Sequence, residues 1–76
     1  MSQPIQPHQQ RMLEEAAQLK DRLDKLTGFI RDNELFHSLP EREQKRMRMQ
    51  CAAMEIYFLV LSERIDALSI DTSTQA

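Results

Sequence analysis

The chain has 76 residues, with 12 acidic against 10 basic side chains and a formal charge of −2 at pH 7. That length holds one domain at most and buries little surface alone, so it calls for disulfides, a metal or partner subunits. One cysteine, Cys51, excludes an intrachain disulfide, and the near-balanced charge disfavours nucleic acid as a bulk electrostatic partner.

Residues 1–7 carry two prolines, three polar residues and Ile5, and read as a flexible N-terminal arm. A first helix is expected from His8 to about Arg31. Its apolar positions Met12, Ala16, Leu19, Leu23, Leu26 and Ile30 advance by three or four residues and form one stripe. Asp21 and Lys25 form a supportive i,i+4 pair. Gly28 weakens this helix or admits a close neighbour. Asp32-Asn33 is a stopping point, Glu34 to His37 add one more turn, and Leu35, Phe36 and Leu39 fold under to plug the end. Ser38-Leu39-Pro40-Glu41 has the form of a capping box, so a second helix is expected from Pro40 to Leu68. Its stripe is Met47, Cys51, Met54, Phe58, Leu61, Ile65 and Leu68. Residues 69–76 are polar and read as a frayed tail. The fold class is all-α: an antiparallel two-helix hairpin over residues 8–68.

The second helix carries a further stripe of Met49, Ala53, Ile56 and Val60. It makes the segment from Cys51 to Leu61 apolar almost all round, more than one neighbouring helix covers. The expected cover is another copy, giving a homo-oligomeric helical bundle with these four residues at the interface. The longest apolar run, Ile56 to Leu61, is too short to span a bilayer, and no signal peptide is legible. The expected address is cytoplasmic, without a membrane partner.

Arg42, Lys45, Arg46 and Arg48 crowd the start of the second helix, the first three on one face, where like charges repel and oppose the macrodipole. Such an arrangement fits an anionic partner, and equally a solvated face neutralised by Glu41, Glu43 and Asp32. An antiparallel hairpin brings Arg31 near this patch. Tyr57 fits interface packing or the stacking of a base. His37 at the turn reads as a capping or surface group, and Cys51 on its stripe as a small buried hydrophobe. Glu14, Glu55 and Glu63 lack the histidine spacing of a di-metal site, and no nucleophile, base and acid share a positional logic. No cofactor, no metal and no enzyme are expected.

From about Leu19 to Ile65 the chain resembles a group of small helical-hairpin proteins of tailed bacteriophages. The resemblance rests on Leu23, Lys25-Leu26, Phe29-Ile30, Leu35-Phe36, Ser38-Leu39-Pro40, Glu43-Gln44, Arg46, Gln50, Met54, Tyr57, Leu61 and Glu63-Arg64-Ile65. In architecture alone it is similar to phage sponges that sequester the cyclic nucleotide signals of CBASS and Thoeris defence. Those are short oligomeric hairpins that hold phosphates with basic and aromatic residues at subunit junctions. The Gly-Tyr-Arg stretch of the best-known sponges is absent here.

Two functional classes are therefore expected. One is a counter-defence protein of phage type, active in the host cytoplasm. It sequesters an anionic cyclic nucleotide through Arg42, Lys45, Arg46 and Arg31, with Tyr57 stacking. The other is an inhibitor or adaptor that binds a host protein through its helix surfaces. An RNA- or DNA-binding dimer is a third and weaker expectation.

Overall fold

A computed structural model of the chain describes the backbone of residues 6–74 and the side chains of residues 6–68. The regular structure among them is helical, in three elements: α1 Pro7–Asp32, α2 Glu34–Ser38 and α3 Glu41–Thr74. Pro7 occupies the first turn of α1, where its missing N–H costs nothing. Gln9 Oε1 accepts from the Gln6 backbone N–H at 3.0 Å, which holds the entry. The surface of α1 carries the expected Lys25–Asp21 pair at 2.9 Å and a second, Lys20–Asp24, at 3.2 Å. Of the arm expected over residues 1–7, positions 1–5 lie outside the described residues, and Pro7 is helical.

The helix ends differ from the sequence reading at two places. Ser38 does not cap α3. Its Oγ donates backwards to the Leu35 carbonyl at 2.7 Å and closes α2 instead. The Pro40 carbonyl accepts the first bonds of α3, from Glu43 and Gln44. The turn is held by Gln44, whose Nε2 donates to the Leu39 carbonyl at 2.8 Å and to the His37 carbonyl at 3.2 Å. The second difference is length. The backbone of α3 continues through residues 69–74, where a frayed tail was expected. No glycine or proline follows Pro40, so nothing in the local sequence breaks the hydrogen-bond ladder.

Asn33 separates α1 from α2 in an extended conformation. Its N–H bonds the Phe29 carbonyl behind it, and its Oδ1 accepts from Leu35 N–H at 2.9 Å ahead of it. One residue therefore ends one helix and caps the next. The short α2 drives Phe36 inward until it is fully buried, edge-on to Phe29 with ring centroids 6.2 Å apart. Burial of a phenyl side chain stabilises by about 2–3 kcal/mol, which makes Phe36 the largest contributor at this end. Leu39 is half-buried beside it, but Leu35, also expected in the plug, points outward and is 65 % exposed.

Beyond the turn, α1 and α3 lie against each other in opposite directions. Thr27 meets Cys51, and Arg31, later in α1, shares a hollow with Arg48, earlier in α3. Both main stripes face this seam. Leu19, Cys51 and Leu61 are buried, and the remaining stripe residues are half-buried. The other stripe of α3 is left out: Met49, Ile56 and Val60 are 61 %, 63 % and 48 % exposed, and Ala53 is exposed beside them. The molecule is a rod of 55 × 18 × 16 Å, thin enough that few side chains are shielded on all sides.

Candidate functional site

Between α1 and α3, on the half of the hairpin nearer the turn, lies a groove of roughly 270 Å³. Thr27, Ile30 and Arg31 line it from α1, and Arg48, Cys51, Ala52 and Glu55 from α3. The antiparallel register creates this set, because each later residue of α1 meets an earlier residue of α3. It brings two guanidinium groups, Arg31 and Arg48, to one opening from two different helices.

The two arginines are held differently. Arg48 lies over the Phe36 ring, 5.1 Å from its centroid, and has no carboxylate partner among the described residues. The buried ring fixes the guanidinium at the groove's edge through a cation–π contact and leaves its N–H donors free for an anion. Arg31 folds onto its neighbour Asp32, with Nη2 3.1 Å from Oδ2 and Nε 3.2 Å from both oxygens. Both groups of that pair are mostly exposed, so the pairing is weak and readily exchanged for a phosphate.

At the other end of the groove, Thr27 Oγ1 and Cys51 Sγ lie 3.5 Å apart, and Cys51 Sγ approaches Glu55 Oε1 at 3.6 Å. The Glu55 carboxylate accepts hydrogen bonds and repels anions. The groove is thus polarised along its length. Its cationic end suits a phosphate, its acceptor end suits hydroxyl or amine donors, and Ile30 and Ala52 supply apolar wall between them.

The basic residues singled out in the sequence are distributed elsewhere. Arg42, Lys45 and Arg46 are exposed on α3. Arg46 is engaged by Glu43, with Nε 3.0 Å from Oε1, while Arg42 and Lys45 make no ion pair among the described residues. Of the basic residues of α3, Arg48 is the one that shares the groove with Arg31. Tyr57 is 47 % exposed and lies eleven residues beyond Arg46, about 16 Å along the helix. Within one copy it does not meet the basic residues. His37 is exposed, its ring edge-on to Phe36 at 5.5 Å.

Sequence reasoning placed Arg48 in the basic cluster and passed over it as a site residue, and it did not connect Thr27 or Glu55 with the arginines. No spacing rule offered that signal: Thr27 lies off the apolar stripe of α1, and its packing against Cys51 shows the register that brings Arg31 near Arg48. Among the described residues no group of three histidine, cysteine or acidic side chains could hold a metal ion, and no helix is long and apolar enough to cross a membrane.

A family model described as Sequestin matches residues 6–67, which takes in α1, the turn, α3 as far as Ala67 and every residue of the groove. The chain belongs to the Sequestin family. The family's name denotes sequestration, which suggests a binding role rather than catalysis. No curated protein and no solved structure matches the chain.

Proposed function

We propose that the protein is a non-catalytic sequestering protein of the phage counter-defence kind, which self-associates and withdraws an anionic nucleotide signal from solution. The observation that carries this reading is the pair Arg31 and Arg48, presented by two helices at one end of a groove whose other end holds Glu55 and Thr27. Phosphate oxygens bind the two guanidiniums, and the ribose or base donates to Glu55. The ligand leaves unchanged, because sequestration works by mass action alone.

The groove lies at the small end of ligand-pocket sizes, roughly enough for one nucleotide unit. A cyclic dinucleotide or trinucleotide is larger than that. A second unit of such a ligand needs a further wall, which fits a protein that acts as an assembly. Membership of a family named for sequestration supports the same reading.

The test is a thermal-shift and calorimetric series with cyclic dinucleotides and trinucleotides. A ligand at one hundred times its dissociation constant stabilises the native state by about 2.7 kcal/mol, a rise of roughly 10–20 °C in melting temperature for a chain this small. The ligand recovered after denaturation should be chemically intact. Arg48→Ala and Arg31→Ala should each weaken binding by roughly tenfold to a hundredfold, as expected for a lost charge-assisted hydrogen bond. Arg42→Ala should leave it unchanged. No shift with any of these nucleotides at millimolar concentration would reject the nucleotide reading. The exposed apolar side of α3 favours the second reading, capture of a host protein. A single host protein retained on the immobilised chain, and lost with Ile56→Glu but not with Arg48→Ala, would favour it.

A further inference from the structure

On α3, Lys45, Met49, Ala53, Ile56, Val60 and Glu63 advance by steps of three and four and lie on one line. All six are exposed, and the line runs along the side opposite Cys51, Phe58 and Leu61, which face α1. Its middle is apolar, one end is basic and the other acidic. From this we infer that two copies pair antiparallel through α3 about a two-fold axis near Met54 and Glu55. The inference deepens the proposed self-association by naming the surface, the direction and the register.

The size pattern of the stripe suits this pairing. An isologous interface requires that whatever residue i meets on the partner also meets i. With the axis between positions 54 and 55, Met49 lies level with the partner's Val60, and small Ala53 lies level with the partner's Ile56. A large side chain therefore meets a gap at each central position, and each contact occurs twice. Lys45 comes within reach of the partner's Glu63, again twice. Parallel pairing would instead set Arg42, Lys45 and Arg46 against their own copies. Arg64 falls on the opposite flank, one residue off level with the partner's Arg46, just as Lys45 is one residue off level with the partner's Glu63. That like-charge approach works against association, and Glu43 already screens it by engaging Arg46.

The pairing accounts for two otherwise unexplained features. It covers Met49, Ile56 and Val60, three of the large apolar side chains that the single chain leaves in solvent. It also gives Lys45 a counter-charge that no described residue supplies within the chain. Arg31, Arg48 and Glu55 lie off this stripe, so both grooves stay open. A two-fold axis perpendicular to the helices sets the two grooves on the same side of the dimer.

Charge reversal on the full chain tests the register. In Lys45→Glu, and separately in Glu63→Lys, two attractive contacts become two repulsive ones. Each variant should dimerise roughly ten- to a hundredfold more weakly than the native chain. Mixed in equal amounts, the two variants place opposite charges at both contacts, so heterodimers should form with near-native affinity in native mass spectrometry. Both sites are exposed, and circular dichroism of each variant verifies that the helices persist. Restored heterodimers support the antiparallel register. Variants that associate like the native chain, or that fail to rescue each other, overturn it while leaving self-association standing if the native chain is still oligomeric. A native chain that stays monomeric at ~100 µM, a concentration at which even weak specific interfaces assemble, overturns both.

Discussion

One side of α3 carries Met47, Cys51, Met54, Phe58, Leu61 and Ile65; the opposite side carries Met49, Ala53, Ile56 and Val60. The first set is buried or half-buried against α1, and the second is exposed. Hydrophobicity does not separate them, since Ile56 and Val60 are as apolar as Leu61. Geometry does: α1 is one helix wide and covers one stripe. A helix that is apolar on two opposite sides fits a place in the middle of an assembly, with α1 on one side and a second copy on the other. The inner side makes the fold of the chain, and the outer side is where the proposed pairing would extend it.

Substitutions that weigh one side against the other break or sharpen this comparison. The largest effect is expected at the inner side's end plug. Phe36→Ala removes a fully buried ring, the contact to Phe29 and the platform under Arg48. It should cost about 3–5 kcal/mol in chemical denaturation, enough to unfold much of so small a domain. Ile56→Ala on the outer side deletes an aliphatic side chain that is 63 % exposed. In dilute solution it should cost no more than about 0.5 kcal/mol. At high concentration it should lower the melting temperature further, since the proposed pairing would stabilise the native chain there. Equal costs for the two substitutions at all concentrations would erase the distinction between the sides.

A smaller effect, about 1 kcal/mol, is expected for Asn33→Ala, which removes the cap of α2. Glu41→Ala should change stability by less than about 0.5 kcal/mol, because the capping box it was expected to complete does not form. The smallest effect is a gain. A Cβ added at Gly28 meets nothing within 4 Å. Gly28→Ala should therefore stabilise α1 by up to about 1 kcal/mol, read as a higher urea midpoint. A loss of nucleotide binding without loss of stability in this variant would instead place a ligand against Gly28.

The parts legible in the sequence were those governed by periodicity. Steps of three and four marked both seam stripes, and every residue of them turned inward, because a helix has one repeat and a seam follows it. Asp21 and Lys25 were legible for the same reason. The turn was less so. Ser38 satisfied a capping pattern, in which its hydroxyl oxygen accepts from a backbone N–H ahead of it, yet that hydroxyl donates to the Leu35 carbonyl behind it, and Gln44 bonds the turn carbonyls. Local patterns do not rank competing partners. The groove was the least legible part. Arg31 and Arg48 are seventeen residues apart, and only the register between two helices sets them together. No spacing rule within either helix expresses that register.

Sedimentation equilibrium of the native chain across about 1–100 µM tests the account most directly, since association that covers the outer side of α3 must respond to concentration. The account predicts a mass that rises from that of the 8.9 kDa chain to at least twice that value, with the melting temperature rising alongside. A particle of 8.9 kDa at every concentration, melting cooperatively at one fixed temperature, would contradict it.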